Sequence, residues 1–115
     1  MQPLEFLERV LPNEGNYCLT LISGTIVQNV FFNSKADIIY AAKAYDGKKN
    51  IYYALASYGT ISSKGRIQRT KENVQFLRSI WADIDIRTDK GDKCYQTFEE
   101  ATTAIGQFLA KTNLP

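Results

Sequence analysis

The residues from Ser79 to Arg87, SIWADIDIR, constrain the fold most, because they place two carboxylates one residue apart in an apolar run. Side chains alternate between the two faces of a strand, so the pattern predicts a strand with Asp83 and Asp85 on one face. Residues at i and i+2 lie roughly 6.6 Å apart along a strand. An uncompensated buried carboxylate costs several kcal/mol, so the pair needs a metal, a nearby Arg or Lys, or exposure at a sheet end. The other face is predicted to be core: Ile80, Ala82, Ile84 and Ile86.

The acid pair has a chemical and a merely structural interpretation. Hard cations such as Mg²⁺ and Mn²⁺ prefer oxygen ligands and usually sit between protein carboxylates and a substrate phosphate. Asp83 and Asp85 therefore predict a metal site and indicate phosphoryl or nucleotidyl transfer. The alternative is that both acids only solubilise a strand end. The apolar residues before them and the β-branched Ile84 between them favour the metal site, because they carry the acids into a strand rather than a turn.

Composition excludes several kinds of active site. The 115 residues form one domain or part of one, and they contain no His. A His general base, a His metal ligand and Ser-His or Cys-His nucleophile pairs are therefore excluded within this chain. The net charge of +2 is nearly neutral, so any nucleic-acid contact must come from a local patch.

The cysteines and the amino terminus indicate where the protein resides. Cys18 and Cys94 lie far apart and have no zinc-ligand spacing, which favours free thiols in a reducing compartment. The first twelve residues carry Glu5 and Glu8 among apolar residues and match neither a signal peptide nor a membrane span. We therefore expect a cytoplasmic protein without a membrane partner.

Local patterns predict a mixture of helices and strands. A short helical turn capped by Thr70 and running through Val74 and Phe76 should lead into the acidic strand. Thr97 and Glu100 form a capping box for a final helix that extends to about Lys111. Its buried stripe is predicted to contain Phe98, Ala101, Ala104, Ile105, Phe108 and Leu109. The other predicted elements are a helix over 3–11, a hairpin of 17–22 with 25–32, a helix over 35–45 and a strand over 51–56.

One segment of the chain is cationic, and we refer to residues 57–71 as the cationic segment. It contains no acidic residue and four basic ones: Lys64, Arg66, Arg69 and Lys71. Such a segment suits the phosphates of a nucleotide or of a nucleic-acid backbone. The alternative is a solvated surface loop. Tyr58 could stack on a base, although a lone Tyr more often packs in a core, and Arg87 is a further candidate for phosphate binding.

The order of these features resembles a known family. A hairpin, a helix, a strand and the cationic segment precede RSIWADID at Arg78 to Asp85, and YQTFEEA then opens the final helix. Together they resemble the N-terminal part of the catalytic domain of archaeo-eukaryotic primases, in the primase-polymerase branch carried by phages, plasmids and mobile elements. The resemblance runs from about Tyr17 to Pro115. It implies that Asp83 and Asp85 are the first motif, whose carboxylates hold the metals that bridge a nucleotide triphosphate and the 3′ hydroxyl.

The resemblance also implies a fold and partners. The fold would be α+β, with an N-terminal α/β unit over 1–75 and the first strand and helix of an RRM-like module over 76–115. Single-stranded DNA template and nucleotide triphosphates would be partners, together with a helicase domain or protein. The family's second motif, a Ser/His strand, and its third, a metal-binding Asp, should follow the final helix. We therefore expect an incomplete catalytic domain that is inactive alone and prone to self-association through its open apolar face.

Two other functions stay open. A haloacid-dehalogenase-type phosphatase also uses D-x-D after an apolar strand, but it places Gly-Thr after the second Asp, where this chain has Ile86 and Arg87. A nucleic-acid-binding or scaffolding domain without catalysis would use Tyr58, Trp81 and the cationic segment. Metal binding at Asp83 and Asp85 distinguishes the primase-polymerase and the phosphatase, which need it, from the non-catalytic binding domain, which does not.

Overall fold

The computed structural model describes residues 1–87, 89 and 94–114, and it confirms a mixed α+β chain. The chain divides into two units, Met1–Ile80 and Trp81–Pro115. The first unit contains every named strand of the described residues and two α-helices, and the second contains the third helix. The elements in chain order are α1 Pro3–Val10, β1 Asn16–Ser23, β2 Ile26–Phe32, α2 Lys35–Tyr45, β3 Asn50–Tyr58, β4 Ser62–Ser63, β5 Arg66–Ile67, a 3₁₀ turn Lys71–Asn73, β6 Val74–Leu77 and α3 Phe98–Thr112.

The first unit is built on an antiparallel sheet with the strand order β2-β1-β3-β6. The predicted hairpin is confirmed: Ser23 pairs with Ile26, so only Gly24 and Thr25 form the turn. Gly24 has a φ of +59°, the left-handed conformation that two-residue hairpin turns favour. The predicted third strand is confirmed as β3, which pairs with β1 on one side and with β6 on the other.

Helices α1 and α2 cover one face of this sheet. Leu7 and Leu11, in and just after α1, and Ile38 of α2 pack on Tyr17, Leu19 and Leu21, which are alternate residues of β1. The helix predicted over 3–11 and the helix predicted over 35–45 are therefore confirmed, with their apolar stripes toward the sheet. Burying these side chains supplies the main hydrophobic stabilisation of the unit.

The opposite face of the sheet has a small buried cluster at one end. Cys18, Ala54, Ala56 and Tyr58 form a small buried cluster there, against which Ile67 of β5 packs. Ile67 is delivered by a two-stranded hairpin of β4 and β5, whose turn residues Lys64 and Gly65 have φ values of 51° and 74°. Two consecutive positive φ angles are typical of a type I′ hairpin turn. The cationic segment, predicted as a loop over its whole length, instead begins in the last two residues of β3 and contains this hairpin, whose Ile67 packs on this end of the sheet.

The predicted helical turn through Val74 and Phe76 is wrong. A 3₁₀ turn ends at Asn73, and the Thr70 side chain makes no capping hydrogen bond. The next four residues instead form β6, in which Phe76 pairs with Ser57 and Leu77 pairs with Ala56. Pairing to an open edge of β3 supplies backbone hydrogen bonds that a short isolated helix could not match.

The strand predicted over Ser79 to Arg87 is also wrong, because the chain leaves the sheet after Leu77. The Arg78 guanidinium donates to the carbonyl of Glu8 at 2.7 Å, and the Ser79 hydroxyl donates to the carbonyl of Val10 at 2.9 Å. Carbonyls at the end of a helix have no partner within it, so these side chains satisfy the end of α1. The predicted core face is consequently not buried: Ile80 is 81% exposed, Ala82 and Ile86 are exposed, and Ile84 is half-buried.

The second unit confirms the final helix but not its buried stripe. The Thr97 hydroxyl accepts from the Glu100 amide at 3.2 Å, which is the N-cap half of the predicted capping box. The Glu100 carboxylate accepts from the amide of Gln96, one residue before the N-cap, at 3.0 Å. Of the predicted stripe, Ala101 is buried and Ala104 is half-buried, whereas the larger side chains are exposed. Those exposed side chains are Phe98, Ile105, Phe108 and Leu109.

The buried thiol of Cys18 is expected to make the fold less stable at alkaline pH. Burial raises the pKa of the Cys18 thiol, against smaller opposing effects of its hydrogen bond with Thr20 and of the Arg69 charge. A raised pKa means that the folded protein favours the neutral thiol over the thiolate. The stabilisation from the neutral thiol is therefore fully present below the thiol pKa of the unfolded chain, about 8.5. We expect the free energy of unfolding to fall as the pH rises above that value, and Cys18→Ala to remove part of the fall. Urea unfolding at a series of pH values measures it.

The control for this prediction is Cys94→Ala, because Cys94 lies in the second unit and is half-buried rather than fully buried. That variant should keep the alkaline loss. Burial also raises the pKa of Tyr17, so Tyr17 should contribute to the loss of stability only at still higher pH. An identical pH profile for Cys18→Ala and the unaltered protein would contradict the assignment to Cys18.

Candidate functional site

The acid pair lies in an extended segment that is tied to the start of α3. The Tyr95 amide donates to the Asp85 carbonyl at 2.9 Å, and the Arg87 amide donates to the Tyr95 carbonyl at 3.0 Å. These bonds form a parallel bridge between Ile86 and Tyr95, shortly before α3 begins at Phe98. Asp83 is exposed and Asp85 is half-buried. The backbone of the segment is therefore fixed near Asp85, and the Asp83 carboxylate is accessible to a ligand.

Arg87 is paired with Asp89 in this structure. Its Nε and Nη2 atoms donate to the two carboxylate oxygens of Asp89 at 3.1 and 2.9 Å. Both side chains are more than half exposed, and exposed pairs of this kind contribute little to stability. Binding of phosphate by Arg87 would require only that a surface pair separate, and it stays a prediction.

The oxygen donors of Asp83 and Asp85 are of the type that Mg²⁺ and Mn²⁺ take, but their number is small. Within residues 1–87, 89 and 94–114, no three His, Cys, Asp or Glu side chains lie close enough to form a metal-binding group. Mg²⁺ held by one or two carboxylates takes the rest of its coordination shell from water and substrate phosphates. The donor type therefore fits a divalent metal, and the number of carboxylates fits one that binds together with substrate.

The four predicted cations occupy different places in the cationic segment. Lys64 lies in the hairpin turn, Arg66 in β5 and Lys71 in the 3₁₀ turn, and all three are exposed. Arg69 instead reaches the sheet, where its Nη1 donates to the Thr20 hydroxyl oxygen at 2.8 Å. In the described part of the chain the ion pairs are Arg9 with Glu5 and Arg87 with Asp89, so none of the four cations is neutralised by an ion pair with a carboxylate.

Tyr58 packs in the core. It is buried, and its ring meets that of Phe31 edge to face at a centroid distance of 5.7 Å. In this structure Tyr58 therefore packs in the core and does not present its ring for stacking on a base. Trp81, by contrast, is 67% exposed.

Asn73, two residues after the cationic segment, holds that segment's ends by hydrogen bonds. Sequence patterns did not single it out. Its side-chain amide donates to the carbonyls of Ile61 at 3.2 Å and Gln68 at 2.7 Å, and its side-chain oxygen accepts from the Ile61 amide at 3.1 Å. Its own carbonyl accepts from the Gly59 amide at 2.8 Å. One buried side chain thus satisfies three backbone groups and fixes where the β4–β5 hairpin begins and ends.

A cleft of about 480 Å³ lies beside the start of α2, and Lys35, which lines it, has a structural role. The Lys35 ammonium donates to the Leu11 carbonyl at 3.2 Å, and Arg78 donates to the Glu8 carbonyl nearby. Burial, and then the Arg78 charge, lower the pKa of Lys35, while Glu8 acts in the opposite direction. The two cations therefore serve the carbonyl end of α1.

Sequence reasoning also missed Tyr52, which is exposed on the sheet face away from α1 and α2. The signal was present in β3, where Tyr52 and Tyr53 are adjacent and must point to opposite faces. Tyr53 meets Phe6 of α1 edge to face at 6.2 Å, which leaves Tyr52 on the uncovered side.

The described helices include none with the length and apolar character that a membrane crossing requires. Comparison with known proteins gives no family from which a role could be transferred. No protein-family model, no curated protein and no solved structure matches this chain.

Proposed function

We propose that this chain is the N-terminal part of a primase-polymerase catalytic domain, in which Asp83 and Asp85 hold Mg²⁺ or Mn²⁺ for template-directed nucleotidyl transfer. The observation that carries the proposal is the acid pair itself, on a segment whose backbone is bonded to Tyr95 just ahead of α3. Positioning and charge neutralisation are most of what a phosphoryl-transfer site must supply. The resemblance of RSIWADID and YQTFEEA to the family's first motif region supports the same function.

The role of each acid follows from its surroundings. The exposed Asp83 carboxylate can meet a hydrated metal ion that arrives with a nucleotide triphosphate. The half-buried Asp85 has its carbonyl engaged by Tyr95, which restrains the backbone that carries its carboxylate. A metal bound here would polarise phosphate oxygens and stabilise the charge that develops during displacement.

A second candidate is a nucleic-acid-binding domain without catalysis. It is favoured by the cationic segment, whose four basic side chains make no ion pair in the described part of the chain and which includes the folded β4–β5 ribbon. In that case the acid pair would have no metal to bind.

Metal binding at Asp83 tests the proposal. We expect Mn²⁺, added to the 115-residue chain at substoichiometric amounts, to broaden the amide NMR signals of residues around Asp83 and Asp85 before others. Asp83→Asn should weaken this binding at least about tenfold, since it removes one of two charged oxygen donors. The thermal transition should stay nearly unchanged or rise, because the substitution relieves repulsion between adjacent carboxylates. In a longer protein that carries this chain, the same substitution should abolish nucleotide incorporation.

Asp37→Asn is the matched control, because Asp37 is an exposed aspartate in the first turn of α2. It should leave the pattern and strength of broadening as they were. Broadening centred elsewhere, or an unchanged response of Asp83→Asn, would refute the metal site. An acyl-phosphate on Asp83 would point to the phosphatase instead.

A further inference from the structure

Part of the sheet face away from α1 and α2 is exposed in the described part of the chain, and we call it the open sheet face. Ile67 of the β4–β5 hairpin packs on the cluster that holds Cys18, Ala56 and Tyr58. Farther along the same face, Val27, Asn29, Asn50 and Tyr52 are exposed. The residues of the open sheet face come from the three strands β1, β2 and β3: Thr20, Ile22, Val27, Asn29, Asn50 and Tyr52.

A row of three side chains crosses this face. Thr20 of β1 lies directly opposite Asn29 of β2 on one side and Tyr52 of β3 on the other. Directly opposed residues in antiparallel strands have Cβ atoms about 5 Å apart and share a face. Tyr52 is 55% exposed, so much of its ring is accessible at one end of the row.

Arg69 brings a positive charge onto the same row. Its guanidinium donates to the Thr20 hydroxyl oxygen at 2.8 Å, and that hydroxyl donates in turn to the Asn29 side-chain oxygen at 2.7 Å. Thr20 is almost fully buried beneath these neighbours, whereas Arg69 itself is exposed. These hydrogen bonds hold the Arg69 guanidinium in the row that contains Tyr52. A guanidinium has five N–H groups, so several donors of Arg69 remain for a ligand.

The charged side chain that contacts the open sheet face is the cation Arg69. The four strands of the main sheet contain no Asp, Glu, Lys or Arg. Arg69 of the cationic segment contacts the face at Thr20. The rest of that segment carries Lys64, Arg66 and Lys71 and no acid. An uncharged sheet surface with an exposed aromatic ring, in contact with a cation, complements a polyanion that has flat apolar bases.

We propose that the open sheet face binds single-stranded nucleic acid, with Tyr52 stacked on a base and Arg69 together with the other cations of the segment contacting phosphates. This inference deepens the proposed function, because it locates the strand-binding surface of that same domain, and it does not depend on the acid pair. Stacking uses the face of a base that a duplex conceals, so the site should prefer single strands. Tyr52, rather than Tyr58, is then the stacking residue of this chain.

Stacking is tested with Tyr52→Ala and a matched control. Binding of a fluorescein-labelled oligo(dT) of about 16 nucleotides is followed by anisotropy at about 50 mM salt, with EDTA present. We expect Tyr52→Ala to weaken binding about tenfold, and Tyr52→Phe to retain it because the ring remains. Tyr40→Ala should change nothing, because Tyr40 is 80% exposed on α2, which packs on the other face. Circular dichroism confirms that each variant is folded.

An abasic strand of the same length separates stacking from phosphate contact. Tyr52→Ala should bind it as the unaltered protein does, since no base is available to stack. An equal reduction in affinity on the abasic and the normal strand would overturn the stacking role. Absence of binding by the unaltered chain, or tighter binding of duplex, would overturn the proposal as a whole. An oligo(rU) arm shows whether DNA or RNA is preferred, and binding of either supports the site.

Salt dependence tests the cations. In the triple variant, Lys64, Arg66 and Lys71 are all replaced by Gln. The slope of log affinity against log salt should become shallower by about 0.7 for each phosphate that the variant no longer neutralises. Lys43→Gln with Lys48→Gln, at and beyond the end of α2, is the control and should keep the slope. An unchanged slope in the triple variant would remove Lys64, Arg66 and Lys71 from the site. Because all binding is measured in EDTA, its outcome is independent of whether Asp83 and Asp85 hold a metal.

Discussion

Gly15→Ala is expected to destabilise the first unit by about 3 kcal/mol, because two separate costs add at this position. Gly15 has a φ of +101°, a conformation that residues with a side chain rarely adopt. A Cβ there would lie 2.6 Å from the Ser57 hydroxyl oxygen and 2.8 Å from the Ser57 Cβ. Ser57 is fully buried in β3, so it has no room to withdraw. Urea unfolding monitored by circular dichroism measures the loss.

Two variants divide this loss into its parts. Gly24 has a φ of +59° and open space around it, so Gly24→Ala reports backbone strain alone and should cost about 1 kcal/mol. Adding Ser57→Gly to Gly15→Ala removes both clashing atoms and should recover part of the stability. If Gly15→Ala and Gly24→Ala cost the same, the contact with Ser57 is not what Gly15 protects.

Asn73→Ala is expected to cost about 2 kcal/mol, because it leaves three backbone groups without their partner. The side chain of Asn73 bonds the amide and carbonyl of Ile61 and the carbonyl of Gln68, and it is only 3% exposed. The loss should be local as well as global. We expect the Ile61 amide to exchange with solvent much faster in the variant, while amides in the centre of β1 change only with global stability.

Asn50→Ala is the control for this substitution, since Asn50 is exposed at the start of β3. Asn73→Asp is more informative, because it keeps an acceptor for the Ile61 amide and sets a negative charge against two carbonyl oxygens. It should be at least as destabilising as Asn73→Ala. Stability equal to that of the unaltered protein in both Asn73 variants would show that water replaces the side chain at no cost.

Elements with strong local patterns could be predicted from the sequence. Lys35–Tyr45 was predicted with its observed bounds from Ser34, Asp37 and the spacing of Ile38 from Ala41, Ala42 and Tyr45. Ser34 is the N-cap residue, but its side chain makes no capping hydrogen bond. The N-cap bond from the Glu100 amide to Thr97 likewise set the start of α3. In each case residues within one or two helical turns decide the structure.

The failures concern residues whose structure is decided by distant partners. Apolar and acidic alternation in Ser79 to Arg87 is a strand pattern, but Arg78 and Ser79 bond carbonyls of α1 some seventy positions earlier. No local window contains that information. The polar segment beside Tyr58 made base stacking a candidate role, yet Tyr58 packs with Phe31 in the core. Whether the acid pair binds metal, as its spacing predicts, stays a prediction.

The bonds that close the end of α1 also determine when the first unit can finish folding. Lys35, Arg78 and Ser79 reach the carbonyls of Leu11, Glu8 and Val10 across 24, 70 and 69 positions. Contacts at such separations form slowly, because loop-closure entropy must be lost before they stabilise anything. During synthesis, the β1–β2 hairpin and α2 can assemble early, while the carbonyls at the end of α1 stay bonded to water until residues 78 and 79 have left the ribosome. Refolding of the chain should therefore show α1 amides gaining protection from exchange after those of β1 and β2.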